Sequence, residues 1–193
     1  MNREEFLARL RARPAGSHLP EAGAPPERPP LPQDLLSAFA QAATATGSAV
    51  VRGDAAVLRA GLMEFSRGEP ALFQDAEELH ELGAGIGTLP MGSDPFHAAW
   101  GLSLADAGLA HTGSACLRRE RGRSLLPSLV PPRAAIVVPA RALYWELGDY
   151  LRAAPPHGTV HVVSGPSRSA DIENDLSIGV HGPGEVLYLL WEE

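Results

Sequence analysis

Apolar residues first gather as a helical stripe near the start of the chain. Phe6, Leu7 and Leu10 share one face of a segment in which Asn2 stands at an N-cap position and Glu5, three residues on, completes a capping box. The spacing predicts a short amphipathic helix over residues 1–13, too short to stand alone. Periodicity is then lost. Seven prolines fall in the nineteen residues from Pro14 to Pro32 with little apolar content between them, so residues 14–30 read as an extended linker that cannot bury a core. A globular domain over 31–193 is expected to follow.

Within that domain the period alternates between helix and strand. Gln33 to Thr46 is Ala-rich with helical spacing, Ser48 to Arg52 is a β-type run, Asp54 caps a helix toward Phe65, and Ala71 to Phe73 is a further apolar run. Later, Ala134 to Val138 and Thr159 to Val163 are β-type runs separated by helical spacing from Arg141 to Ala153. This pattern predicts a βαβ unit whose strands are parallel neighbours. Between the halves, Gly101 to Leu109 and Ser114 to Leu117 flank His111-Thr112-Gly113, the pattern of a hairpin or bent strand pair, which brings an antiparallel component to the sheet. The fold class is therefore α/β.

Charge and composition remove whole classes of function. The net charge of −7 argues against a nucleic-acid partner, whose affinity comes from clustered cations on phosphates. All sixteen basic residues are Arg, so no lysine is present for a Schiff base, pyridoxal phosphate or a P-loop. One cysteine, Cys116, makes neither an intrachain disulfide nor an iron-sulfur or cysteine-based zinc site, which fits a reducing cytoplasm. No apolar signal core or membrane span is visible, so the expectation is a soluble, unexported protein.

The strongest chemical signal is Val163-Ser164-Gly165-Pro166-Ser167-Arg168-Ser169-Ala170-Asp171-Ile172-Glu173, read as a strand, a Gly-Pro turn and a helix start. At the carboxyl end of a strand, free N–H groups of such a helix, capped by Ser167 or Ser169 and joined by Arg168, suit a carboxylate or phosphate. The alternative is ordinary capping, with Asp171 and Glu173 complementing the helix dipole. Gly179-Val180-His181-Gly182-Pro183 sets a histidine between glycines, either a proton-exchanging group or a hydrogen-bonded turn. Gly122-Arg123-Ser124-Leu125-Leu126-Pro127 lies in the cluster Arg118, Arg119, Arg121, Arg123, either an anion clamp or a solvated loop.

Other patterns fail on their spacing. Gly83-Ala84-Gly85-Ile86-Gly87 lacks the final glycine of a dinucleotide loop, and Gly165-Pro166-Ser167-Arg168-Ser169 lacks the second glycine of a nucleophile elbow. His157 and His161 lie four apart in a strand, roughly 13 Å, and His80-Glu81 has no second histidine at helical spacing, so no metal site is signalled.

Ser114 to Leu117, Gly122 to Pro127, Ser164 to Glu173 and Gly179 to Pro183, in that order, resemble the LUD-domain family, and within it the lactate-utilization protein C (LutC) branch. The resemblance covers about Leu104 to Leu190. It implies a three-layer α/β/α sandwich like the NagB/RpiA isomerases and CoA transferases. It also implies a cytoplasmic component of an L-lactate utilisation system that acts with iron-sulfur subunits, LutA-like and LutB-like. Oxidation of lactate to pyruvate releases two electrons, and this chain has no cluster ligands to receive them. The resemblance makes Thr112, Gly113, Ser114, Gly122, Arg123, Ser164, Gly165, Pro166, Ser167, Arg168, Ser169, Gly179 and Gly182 the expected ligand-binding set, with a small anionic ligand, and leaves the cofactor unnamed. His181, with Glu173 or Asp171, is the proton-transfer candidate, and Arg123 completes the clamp begun by Arg168. Where the family usually has Glu-Thr/Ser-Gly this chain has His111-Thr112-Gly113, so an essential glutamate base would be replaced by His111 or its chemistry would differ. Rival readings are a free-standing isomerase or acyl/CoA-type transferase using Glu173 or Asp171, and a metabolite-sensing regulatory subunit. The N-terminal helix and linker are expected to reach a partner subunit or a second copy of the chain.

Overall fold

The computed structural model describes residues 2–11, 27–88, 94–119, 123–154, 158–170, 176–179 and 181–192. Two compact units are distinguished, residues 1–31 and 32–193. In the first, helix α1 (Arg3–Arg11) opens with the reciprocal capping box, Asn2 N donating to Glu5 Oε2 at 3.0 Å and Glu5 N to Asn2 Oδ1 at 2.8 Å.

The second unit begins with α2 (Leu35–Ala45), β1 (Ala49–Gly53), α3 (Ala55–Ser66), β2 (Ala71–Phe73), α4 (Glu77–Leu82) and β3 (Trp100–Leu104). Asp34 and Asp54 start α2 and α3 by accepting two backbone N–H groups each. There follow β4 (Ala107–Leu109), β5 (Ser114–Arg118), α5 (Leu126–Leu129), β6 (Arg133–Pro139), β7 (Leu143–Tyr144), α6 (Leu147–Ala153) and β8 (Val160–Val163). The hairpin β9 (Arg168–Ala170) and β10 (Leu176–Ile178) precedes the last strand, β11 (Glu185–Trp191).

Five strands form a wholly parallel sheet in the order β1-β11-β6-β3-β2. The central strands read as unbroken apolar runs because both faces are covered. Ala135, Val137, Leu187 and Leu189 point to one face, packing with Leu58 and Leu62 of α3 and Leu79 of α4. Ile136, Val138, Tyr188 and Leu190 point to the other, where they meet Phe39 and Ala43 of α2 together with Ala115 and Leu117 of β5. Each fully buried Leu or Ile here contributes on the order of 1.5–3 kcal/mol.

The α/β sandwich is thus as expected, with one refinement. Beside α2, the second face is covered by a smaller mixed sheet, β7-β4-β5-β8, whose far side packs Ala107, Leu109 and Cys116 against Tyr150 of α6. This sheet also corrects the expected βαβ unit. The run at 160–163 is not a parallel neighbour of β6: β8 pairs antiparallel with β5, and the parallel partner of β6 is β11. Val162 is 41% exposed, whereas Val186 to Leu190 of β11 are all buried. The helical spacing from Arg141 is likewise interrupted, since Leu143 and Tyr144 pair with Gly108 and Leu109 and the helix starts only at Leu147. The hairpin expected around His111-Thr112-Gly113 is present as β4–β5.

Gly113 shows how tightly the appended sheet meets α2. Its φ is +61°, and a Cβ there would lie 2.1 Å from the backbone nitrogen of Ala43 in α2. Gly113→Ala is expected to destabilise by more than about 2 kcal/mol, lowering the melting temperature by roughly 4–8 °C or more. Gly148→Ala, where a Cβ meets nothing nearer than 3.7 Å, serves as the neutral control in the same thermal scan.

Candidate functional site

The β4–β5 turn and the end of β8 are drawn together by three hydroxyls. Thr112 Oγ1 and Ser114 Oγ lie 2.7 Å apart, and Ser114 Oγ lies 2.7 Å from Ser164 Oγ. Ser114 is fully buried, while Thr112 and Ser164 are exposed at either end of the chain of hydroxyls. The antiparallel register puts Ala115 opposite Val163, so the residues just beyond that pair face one another although fifty positions apart in sequence.

These hydroxyls line one wall of an open groove of about 420 Å³. His111, Glu146 and Gly148 also border it, and Leu109, Leu147 and Val162 provide apolar surface. The turn is tied to the α6 entry by Ala110 N donating to Tyr144 O at 2.8 Å and His111 N to Trp145 O at 3.0 Å. The His111 ring packs on Trp145 with centroids 4.7 Å apart, and its Nδ1 lies 3.8 Å from Glu146 Oε1. Glu146 is itself fixed by a capping box with Asp149 at the start of α6.

Tyr188 of β11 anchors the other wall from within the core. Its hydroxyl donates to Val163 O at 2.8 Å and accepts from Gly165 N at 3.1 Å, so the turn after β8 hangs from the main sheet. Burial pushes this phenol up to about 12, keeping the proton that makes the first bond. Gly165, with φ +78°, adopts a conformation that favours glycine, and a Cβ would lie 2.7 Å from Thr46 Oγ1.

Arg168 is placed differently from the expectation. No helix follows the Gly-Pro turn: Arg168 begins β9, so the helix-start N–H groups and the capping roles of Ser167 and Ser169 do not arise. The guanidinium instead donates to Thr46 O at 2.6 Å, at the C-cap of α2, where a cation complements the negative end of the helix dipole. Ser167 meets the 179–183 segment: its N donates to Pro183 O at 2.8 Å, and its O accepts from Gly179 N at 2.9 Å. A Cβ on Gly182 would lie 3.4 Å from that of Ser167, and exposed His181 is on the same turn. The sequence-derived set therefore gathers as Thr112, Gly113, Ser114, Ser164, Gly165 and Pro166 on one side, and Ser167, Gly179 and Gly182 beside them.

Arg123 does not join the clamp with Arg168. It pairs with Asp106 at 3.4 Å, and Asp106 also accepts from Arg118 N, at the opposite end of β5 from Ser114. Four residues of strand span about 13 Å. Gly122, Asp171 and Glu173 lie outside the described residues, so pairing of His181 with either carboxylate lies there too. Sequence reasoning missed Glu146, Trp145 and Tyr188. A Glu-x-x-Asp box marks Glu146 as a helix start, but nothing local links it to His111. Cys116 is buried, and desolvation, with Asp106 nearby, pushes its thiol up to about 11, the opposite of an activated nucleophile. Among the described residues no group of three or more His, Cys, Asp or Glu side chains is placed to hold a metal ion, and no helix is long and apolar enough to cross a membrane.

These features define an α/β sandwich with a hydroxyl-lined groove on its appended sheet. The LUD domain model matches residues 33–191, and the chain belongs to that family. It is similar to Lactate utilization protein C of Oceanobacillus iheyensis, 32% identical over 98 residues, covering 47% of this chain and 42% of the relative. The protein of the same name from Bacillus subtilis is 33% identical over 100 residues, with 47% and 41% covered. That from Anoxybacillus flavithermus is 27% identical over 156 residues, covering 77% and 65%. The match thus spans less than half the length of the first two relatives. A solved structure, a DUF162 family protein from Deinococcus radiodurans, shares the fold with a TM-score of 0.64 at 16% identity, covering 82% of this chain and 96% of that one.

Two outcomes check this geometry. Tyr188→Phe leaves Gly165 N and Val163 O without their side-chain partner, which should cost about 1–3 kcal/mol and speed amide exchange at Gly165. Cys116 should resist iodoacetamide in the native protein at pH 8 and react rapidly in urea, because the buried thiol stays protonated well above that pH.

Proposed function

We propose that this chain is a cytoplasmic, ligand-binding, non-redox component of an L-lactate utilisation system. In this reading iron-sulfur subunits of the LutA-like and LutB-like kinds receive the two electrons as lactate becomes pyruvate, since a single buried cysteine leaves this chain no cluster ligands. The observation that carries the proposal is the 2.7 Å contact between Ser114 and Ser164, which joins two separate segments of the LutC-like pattern at one groove. The name that the relatives bear, Lactate utilization protein C, supports the metabolic role.

A small anionic ligand is proposed for the Ser164–Arg168 turn, where exposed Arg168 keeps donors beyond the one given to Thr46 and Ser167 stands beside the Gly182 turn. His181, on that turn, is the proposed proton carrier, with Asp171 or Glu173 as its partner.

The test is growth of the source organism on L-lactate after deletion of the gene, complemented by wild type, Ser114→Ala or Arg168→Ala. Deletion should abolish growth on L-lactate but not on glucose, wild type should restore it, and either variant should restore it several-fold less well at equal protein level. Undiminished growth of the deletion strain on L-lactate would overturn the proposal.

A further inference from the structure

The two edges of the five-stranded sheet are unequal. Beside β2 the segment at 86–88 closes the edge, with Ala71 N donating to Gly87 O at 2.9 Å and Ala71 bridged to Thr88. The other outermost strand is β1. Gly53 O accepts from Glu192 N at 2.9 Å, and in a parallel ladder alternate residues bond to the same neighbour, so Ala49, Val51 and Gly53 bond to β11. Val50 and Arg52 therefore turn their N–H and C=O groups outward. The strand carries no proline, and its charged side chain, Arg52, is folded back on Glu192 at 2.7 and 3.1 Å.

We infer that two copies of this chain pair through β1, antiparallel about a twofold axis at Val51, joining their parallel sheets into one and setting α3 beside its counterpart at Gly61. The register follows from the outward groups. The two members of a hydrogen-bonded antiparallel pair exchange both bonds, so an outward residue must oppose another outward residue. Setting Val50 against Arg52 of the other copy satisfies every outward group of both strands. An axis at Val50 would oppose Arg52 to Ser48, whose N–H is spent on Ala43 O; an axis at Arg52 would oppose Val50 to Asp54, whose carbonyl accepts from Leu58 N.

The helix flank fits the same axis. α3 runs back over β1 with Val57 against Gly53 and Gly61 against Val51, since a Cβ on either glycine would lie 2.9 Å from a side-chain carbon of that valine. The axis brings Gly61 opposite Gly61 of the other copy, where the missing side chain lets the helices approach over strands about 4.8 Å apart. It also sets a projecting group against a hollow. Val57, 47% exposed, falls level with Ala49 of the other copy, beside a cleft of about 430 Å³ bounded by Ala49, Val51, Gly61, Phe65 and Leu187. The relation is reciprocal, as a twofold interface requires. Charge is complementary too. With a rise of about 1.5 Å per helix residue against about 3.3 Å in the strand, exposed Arg67 at the cleft comes level with Asp54 of the other copy. Exposed Glu64 comes level with the amino half of the other α3, the positive end of its dipole. Parallel pairing would instead set Arg67 on Arg67 and Asp54 on Asp54.

The inference stands apart from the lactate role and is tested on the full chain. Light scattering at micromolar concentration should give twice 20.4 kDa. Val51→Cys should form a disulfide-linked dimer under mild oxidation, because the Cα atoms of a non-hydrogen-bonded pair lie about 4.5 Å apart. Ala49→Cys, set off from its counterpart by roughly 13 Å along the strand, should not, and buried Cys116 adds no background. Val57→Glu places at the third position of α3 a residue that suits a helix start, so the chain should stay folded. The same change puts a charge in the apolar cleft, before Glu64 of the other copy, and self-association should weaken by about tenfold or more. A wild-type chain of monomer mass, no cross-link at Val51→Cys, an equal cross-link at Ala49→Cys, or a Val57→Glu chain as dimeric as wild type would each overturn the inference.

Discussion

Parallel pairing of β6 with β11, seven residues in register from Arg133–Glu185 to Pro139–Trp191, is the constraint on which the rest depends. A parallel pair cannot be closed by a tight turn; the chain must travel back along the full strand length before it pairs. In most α/β domains that return is a helix. Here it is β7, α6, β8 and the β9–β10 hairpin, and the preceding return, from β3 to β6, carries β4 and β5. The two excursions pair with each other, so the appended sheet is built from the crossovers of the main one. The groove lies on that sheet, which explains why its residues come from both excursions.

Tyr188 couples the two layers. Its ring meets Phe39 of α2 edge-on at 5.3 Å within the core, while its hydroxyl holds the turn after β8. The C-terminal end of α2 sits at the same junction, with Gly113 against Ala43, Gly165 against Thr46 and Arg168 on the last carbonyl. A site mounted in this way is held by core packing even though its rim is open.

Much of the fold was legible because it follows from local chemistry. Asn2 and Asp54 cap the helices whose starts they were read to mark, the β4–β5 hairpin brackets His111-Thr112-Gly113, and the central run at 134–138 is the buried strand that its unbroken apolar character requires. Errors came where one pattern fits two environments. Thr159 to Val163 has the composition of a buried parallel strand, yet its exposed Val162 belongs to a pairing with β5 that strand propensity cannot choose. Ser167-Arg168-Ser169 suits a cap as well as a hairpin, and the hairpin prevails through its pairing with residues 176–178.

By itself the sequence determined the class of fold, the capped starts of α1 and α3, the absence of lysine chemistry and of cysteine-held clusters, and the segments that mark the family. Each of these depends on residue identity or on neighbours within a few positions. Only the tertiary structure decided that Ser114 meets Ser164, that Arg168 serves a helix end, that Arg123 stands at the far end of β5, and that Glu146 joins His111 at the groove. Those outcomes rest on contacts between residues 17 to 122 positions apart, fixed by strand register and by which layer covers which face, and no local pattern encodes a register.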